Sequence, residues 1–270
     1  MTKPSSIPVP DLERYLEGKH AIVTGGSRGI GAAVAAELVR RGADVTIMGR
    51  SAETLERKAA ELRGERGATV AVEECDVADQ ASVTSAFARA TAALGPAYIL
   101  VNNAGIAKSR KLVDLTPDIW NETIAVNLTG TYLCTSEVIP AMIEARSGRI
   151  VNMASTAGLR GYRTMTAYAA SKHGVIGFTR ALALEMAKLG ITVNAVCPAY
   201  ADTDMAAGAI EALKTKLGKT EDEAMAMLTG TIPRGTLIRP DEVAAAVAWL
   251  CSPDASGVTG IAMPVAGGEV

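Results

Sequence analysis

Aromatic side chains are scarce in this chain, only 4% of residues, and no stretch of about 18 consecutive apolar residues occurs. The first scarcity excludes a single-strand nucleic-acid reader built on base stacking. The second excludes a membrane-spanning helix. A basic surplus is missing too: 27 Lys and Arg against 29 Asp and Glu leave a formal net charge of -2, which argues against a phosphate-backbone binder. Cysteines are few, Cys75, Cys134, Cys197 and Cys251, with no C-x-x-C pair. They read as reduced, buried thiols rather than as disulfides or a zinc site. His20 and His173 have no cysteine or carboxylate cluster at ligand spacing, so no metal is expected. The start, MTKPSSIPVPDLERYLEGK, lacks an apolar signal core, and a cytoplasmic chain is expected. Residues 1–17 read as a proline-marked arm in which Asp11–Glu17 form a short helix.

What is plentiful is small and apolar. Hydrophobic residues make up 49% of the chain and glycines number 26, a composition that builds a large core and is incompatible with disorder. Apolar β-rich runs lie at His20–Thr24, Asp44–Met48, Thr69–Glu73, Ala97–Asn102, Arg149–Ala154, Thr192–Cys197 and Ile261–Val265. Helical patterns alternate with them at Ile30–Arg41, Ala52–Arg63, Gln80–Leu94, Pro117–Glu144, Thr166–Leu189 and Asp241–Leu250. This alternation predicts an α/β fold: βαβ units forming a parallel sheet with helices on both faces. With no repeat and no internal linker, residues 18–270 read as one domain. Asp202–Gly230 breaks the rhythm as a helical, Met- and Ala-rich insertion, either a mobile lid or an extra packing element. Met205, Met225 and Met227 are expected to line apolar space there.

The first predicted strand runs into Thr24-Gly25-Gly26-Ser27-Arg28-Gly29-Ile30-Gly31 and then a helix. Glycines here let the backbone turn sharply and approach a pyrophosphate, and the helix N-terminus offers free N–H groups and the positive end of its dipole. The alternative is a tight turn with no ligand; placement between the first strand and the first helix favours a dinucleotide. The second strand ends Ile47-Met48-Gly49-Arg50-Ser51, without the acid that would bond a ribose 2′-hydroxyl. Arg50, with Arg28 from the glycine loop, suits a 2′-phosphate. Unless both arginines are solvated surface groups, NADP(H) is favoured over NAD(H). Cys75-Asp76-Val77 and Asn102-Asn103-Ala104-Gly105 follow the third and fourth strands, at the carboxyl ends where such sheets bind ligands. Asp76 accepts from an adenine amino group or caps the following helix. Asn102 and Asn103 serve the ligand or the turn.

Chemistry is suggested after the fifth strand. Ser155 ends the run RIVNMAS, and Tyr168 and Lys172 follow four residues apart on one helix face. A phenol near its reference pKa of about 10 is a poor acid–base group at neutral pH, and a nearby ammonium lowers it. Tyr168 then donates a proton to a carbonyl or takes one from an alcohol. Ser155 holds the substrate oxygen, and Lys172 also reaches ribose hydroxyls. A Tyr-x-x-x-Lys pair alone arises by chance in helices; the serine thirteen residues earlier and the upstream glycine loop give it meaning.

With these motifs, Thr24-Gly25-x-x-x-Gly29-x-Gly31, Asn102-Asn103-Ala104-Gly105, Asn127, Ser155 and Tyr168-x-x-x-Lys172, the chain resembles the short-chain dehydrogenase/reductase family over nearly all of Gly18 to Val270. The resemblance implies a single doubly wound Rossmann domain whose seven strands run in the order 3-2-1-4-5-6-7. It implies Tyr168 as the acid–base residue, Ser155 as carbonyl positioner, and Lys172 on the nicotinamide ribose. Asn127 would hold a water that links Lys172 to solvent, or it is a polar residue of helix packing. Further cofactor contacts are implied at Gly25, Ser27, Ile30, Val77, Asn103, Ala104, Gly105, Pro198 and Thr203, the last at the carboxamide, and a homotetramer as the assembly. Two departures stand out: Pro198-Ala199 where the family often has Pro-Gly, and Ala266 in place of a frequent Asp.

Within the family the chain looks most like 3-oxoacyl-thioester reductases and aromatic-polyketide ketoreductases. A small carbonyl substrate carried as an acyl thioester is the leading expectation, with Arg160 and Arg163 meeting a phosphate of its arm or remaining solvated. The second reading is an alcohol, cyclic-alcohol or steroid dehydrogenase working oxidatively on the same machinery. The third is a non-catalytic dinucleotide sensor, which would have no need to keep Ser155, Tyr168 and Lys172 together. His173 points about 100° away from Lys172 around the helix and reads as a structural or interface residue.

Overall fold

The central strands are buried on both faces, which requires cover from helices on both sides. The computed structural model describes residues 14–63 and 69–270. Its strands are β1 His20–Thr24, β2 Asp44–Gly49, β3 Val70–Glu74, β4 Ile99–Asn102, β5 Gly148–Met153, β6 Ile191–Pro198 and β7 Ala262–Val265. They form a seven-stranded sheet in the order β3-β2-β1-β4-β5-β6-β7, and each neighbouring pair is parallel. This is the doubly wound Rossmann arrangement expected from the sequence, and each strand boundary lies within two residues of its predicted place.

The helices are α1 Gly29–Arg40, α2 Ala52–Arg63, α3 Gln80–Leu94, α4 Pro117–Ile124, α5 Gly130–Ala145, α6 Thr166–Met186, α7 Asp204–Leu217, α8 Glu221–Thr229 and α9 Pro240–Cys251. Strand alternation sends side chains to two cores. From β1, Ala21 and Val23 join Leu38 of α1, Leu55 of α2 and Val247 of α9. Ile22 points the other way, to Phe87 of α3, Cys134 of α5 and Met186 of α6. The four cysteines are free and buried.

Three expectations change. The described part of the helix expected over Asp11–Glu17, residues 14–17, is not helical, and the remainder lies outside the described residues. The helix predicted over Pro117–Glu144 runs without a gap from Pro117 to Ala145 but widens into a π-type turn at Ala125–Thr129, between α4 and α5, a feature that recurs at functional sites. Within 202–230 stand α7 and α8; α7 buries only Ala206 and α8 only Ala224 and Leu228. Met205 and Met227 are about half exposed instead of lining apolar space.

A buried polar chain crosses the middle of the sheet. Asn102 Nδ2 donates to Thr135 Oγ1 of α5 at 3.0 Å and to Asn152 Oδ1 of β5 at 2.9 Å. Asn152 Nδ2 donates to Thr179 Oγ1 of α6 at 2.9 Å, and Thr179 donates on to the Val175 carbonyl at 2.7 Å. This chain sets α6 against β5, with Asn102 Oδ1 its one buried atom without a hydrogen-bond partner. Asn152→Leu, of similar volume, removes two links and leaves buried groups unpaired. It should lower unfolding stability by about 2–4 kcal/mol in urea titration; a change below about 0.5 kcal/mol would show that the chain does not stabilise the sheet.

Candidate active site

The strand order reverses between β1 and β4, and their carboxyl ends open the crevice where doubly wound sheets bind ligands. Thr24 ends β1, and its Oγ1 accepts from the main-chain N–H groups of Asn103 at 3.0 Å and Ala104 at 3.1 Å. In return Asn103 Nδ2 donates to the carbonyls of Thr24 at 3.0 Å and Gly25 at 3.2 Å. The glycine loop is thus stapled to the end of β4. Asn103 is a loop-holding residue here, whereas Asn102 is a member of the buried polar chain.

Gly25 and Gly29 have φ of +65° and +53°, which glycine adopts without strain. A Cβ at Gly31 would lie 2.2 Å from the Gly25 carbonyl oxygen, so the helix can approach the loop only without a side chain. At the start of α1, Arg28 is extended and caps no N–H with its side chain, and the first turn holds no acid. The loop therefore presents uncapped N–H groups and a positive dipole end to an anion.

At the adenosine end the outcome is mixed. Arg50 is exposed just past β2. Arg28 does not stand free beside it: its Nη1 pairs with Asp204 of α7 at 3.2 Å. Both groups are well exposed, so the pair is weak and exchangeable. Asp76 turns its carboxylate onto the Ala78 N–H at 3.0 Å, and the cap of α3 is Asp79, which accepts from Ala81 and Ser82. Val77 is buried against Gly130, where a Cβ would meet the Val77 carbonyl at 2.9 Å.

Across the crevice, α6 brings Tyr168 and Lys172 to the end of β5. Lys172 is buried, its Nζ donates to the Met153 carbonyl at 2.7 Å, and it lies 5.7 Å from the Tyr168 ring centroid. Burial holds the ammonium down, to about 8, with Cys197 opposing. Burial also pushes the Tyr168 phenol up to about 12, the Ser155 hydroxyl being the influence that lowers it. Loss of water is the largest influence, the charges that act on the phenol raise it too, and Lys172 is not among the groups that lower it. Ser155 Oγ accepts from the Ala157 N–H at 3.1 Å and donates to the Pro198 carbonyl at 3.5 Å, so one hydroxyl joins β5, β6 and the start of the following turn.

Asn127 sits in the π-type turn, buried. Its Oδ1 accepts from the Ile106 N–H at 2.8 Å; its Nδ2 donates to the Ile106 carbonyl at 2.9 Å and to Ser171 Oγ at 3.0 Å. Ser171 donates to the Tyr168 carbonyl at 2.7 Å. The amide thus clamps the loop after β4 to the turn carrying Tyr168. Gly105 lies alongside, 3.2 Å from Asn127 Oδ1 and 3.6 Å from Lys172 Nζ measured to the place of a Cβ. Thr203 precedes α7, and its methyl is 3.1 Å from the Cβ place of Gly29. Ala199, the departure from Pro-Gly, donates to the Val265 carbonyl at 3.2 Å and has no positive φ, so it needs no glycine.

Arg160 Nη2 pairs with Glu269 at 2.8 Å, with the guanidinium still partly exposed. His173 bonds the Ala169 carbonyl at 2.9 Å on the exposed side of α6. The sequence reading quoted Thr24 at the head of the glycine motif without giving it a role, and it missed Tyr162, Tyr200 and Glu269. Tyr162 and Tyr200 are near enough for their charges to raise the Tyr168 phenol. A hydroxyl at a strand end beside glycines could have pointed to Thr24; Glu269 has no local signal. Among the described residues no group of His, Cys, Asp or Glu is arranged to hold a metal.

Residues 19–214 match the family model of the short chain dehydrogenases. The chain is a member of that family. It is 42% identical to the granaticin polyketide synthase putative ketoacyl reductase 1 of Streptomyces violaceoruber, over 92% of each chain. It is also 42% identical to the 3-oxoacyl-[acyl-carrier-protein] reductase FabG of Pseudomonas aeruginosa, over 94% of this chain and 98% of that one. An actinorhodin polyketide ketoreductase solved with NADPH superposes with a TM-score of 0.89 at 40% identity, covering 93% of this chain and 97% of that chain. Levodione reductase superposes equally, 0.89, at 32% identity over 94% and 98%. In this short-chain dehydrogenase, the Ser155, Tyr168 and Lys172 group stands at the carboxyl end of β5, across from the glycine loop.

Proposed function

We propose that this short-chain dehydrogenase reduces the ketone of a 3-oxoacyl thioester to the alcohol, using NADPH. The observation that carries the reading is the meeting of Tyr168, Ser155 and the buried Lys172 beside the switch point of the sheet. The relatives named as ketoacyl and 3-oxoacyl reductases support the substrate class, and the neighbour solved with NADPH supports the cofactor. The residues present fit that cofactor: the Gly31 cradle that a Cβ would fill, the uncapped start of α1, and Arg50 without a competing acid at the end of β2. Bound NADPH supplies the hydride.

The protein's part is to hold the carbonyl oxygen and deliver a proton to it. Ser155 and Tyr168 present two hydroxyls to one oxygen, and Tyr168 donates as the carbonyl gains charge. A phenol held at about 12 is fully protonated at neutral pH, which is the form reduction requires. Lys172, positively charged below about 8, stabilises the phenolate left after proton transfer and holds the nicotinamide ribose. Asn127 is a positioning residue that orders the Ile106 loop and Ser171, and it keeps Lys172 in contact with solvent through a relay. Asp76 contacts the adenine, and Ser27, Ile30, Val77, Ala104, Gly105, Pro198 and Thr203 line the cofactor.

The same proposal makes residues 18–270 one catalytic domain with a lid at 202–230 and a preceding arm, in a cytoplasmic homotetramer. The exposed side chains Leu112, Val113, Tyr132 and Leu184 support assembly. No described helix is long and apolar enough to cross a membrane.

Tyr168→Phe removes only the proton donor. It should lower kcat for an acetoacetyl thioester by about 10²–10⁴-fold while the NADPH Kd stays within about threefold; full activity would place the acid elsewhere. Arg50→Asp should weaken NADPH at least about tenfold more than NADH, measured as two Kd values, and an unchanged preference would move the 2′-phosphate to other residues. Because Lys172 loses its proton above about 8 while Tyr168 keeps its own, kcat/KM for reduction should be level below pH ~8 and fall above it. A profile rising through that range would contradict the assignment.

A further inference from the structure

Glu269, the penultimate residue, carries a carboxylate whose side chain is 1% exposed. It accepts from Arg160 Nη2 at 2.8 Å, and Arg160 Nη1 also donates to the Glu269 main-chain oxygen at 3.4 Å. Its other oxygen, Oε2, has no hydrogen-bond partner. A carboxylate removed from water needs a cation, and the one it holds belongs to the loop between Ser155 and Tyr168.

From Arg160 the contacts lead to the reacting groups. Its guanidinium lies 4.8 Å from the Tyr162 ring centroid, and the Tyr162 hydroxyl donates to Thr156 Oγ1 at 2.8 Å. Thr156 follows Ser155. At the far end of the loop Thr164 has a φ of +66°, a strained state for a β-branched residue that persists only under outside restraint. Ser109 Oγ lies 2.7 Å from its hydroxyl, and the Arg110 N–H donates to its carbonyl at 2.8 Å. The tail holding Glu269 also grips the chain just past α8. Arg234 N–H donates to the Gly267 carbonyl at 3.0 Å. A Cβ on Gly267 would lie 2.8 Å from Ile232, and one on Gly268 would lie 3.3 Å from Pro233. Residues 266–269 therefore join the Ser155–Tyr168 loop to the foot of the α7–α8 arm.

We propose that Glu269 is a positioning residue for the reaction at Tyr168: through Arg160 it latches the loop of residues 156–165, and so sets the wall of the cleft that receives the acyl chain. The inference rests on the reductase reading of Tyr168.

The test uses the full chain with Glu269→Ala, Glu269→Gln, Arg160→Ala and the double Ala variant. Readouts are KM and kcat for an acetoacetyl thioester, the NADPH Kd, and amide hydrogen exchange over residues 156–165. Glu269→Ala should raise KM about tenfold with kcat changed less than about threefold, leave the NADPH Kd unchanged, and speed exchange in the loop but not in β1, β4 or β5. Glu269→Gln, which keeps an acceptor, should recover most of the loss. The double variant should be no worse than the poorer single one, since both remove one link. Unchanged KM and loop exchange, additive losses, or a rise in KM that comes with kcat and NADPH affinity falling in step with Tm would each overturn the latch. If the Ala variant does not fold, Arg160→Ala and Glu269→Gln make the same comparison. If the wild type reduces no thioester, the reductase reading falls, and loop exchange alone still decides whether Glu269 holds the loop.

Discussion

An ammonium group taken out of water is costly to keep, and Lys172, with 4% of its surface exposed, is kept by one short bond to the Met153 carbonyl at the end of β5. That bond requires α6 and β5 to hold a constant separation and register. Much of the middle of the molecule serves that requirement. Gly158 lets the turn after Ser155 come within 2.7 Å of the Lys172 carbonyl, measured to a Cβ place that must remain empty. Further along α6, Thr179 is tied through Asn152 and Asn102 to α5. On the other flank, Asn127 ties the loop after β4 to Ser171, the neighbour of Lys172. A small error in any of these would move the amine relative to the phenol.

The second half of the site is built on a different principle. At the glycine loop the positive potential comes from backbone N–H groups and a helix dipole, which need no side chain and titrate at no ordinary pH. Thr24 and Asn103 exchange hydrogen bonds so that the loop does not collapse onto the crevice. The switch point between β1 and β4 brings the two halves together: the glycine loop and the uncapped start of α1 on one side, the Ser155, Tyr168 and Lys172 side chains on the other.

The arm of α7 and α8 is attached to this frame by its ends. Thr203 and Asp204 rest on the glycine loop at its start, and the tail after β7 holds the chain at its finish. Between those points it buries few side chains.

Local patterns in the sequence determined the alternation of strands and helices, the glycine loop at the head of α1, and the four-residue spacing that puts Tyr168 and Lys172 on one face. Each is a property of a short stretch of backbone, with a period of two or of 3.6 residues. The tertiary structure alone decided the rest. It turned Arg28 to Asp204, 176 residues away, and Arg160 to Glu269, 109 residues away; it widened the helix at Asn127, and it set the phenol above its ordinary range. Pairings of that span depend on where the crossovers return each segment, and proton affinity depends on how much water the finished packing removes, neither of which leaves a mark in the neighbouring residues.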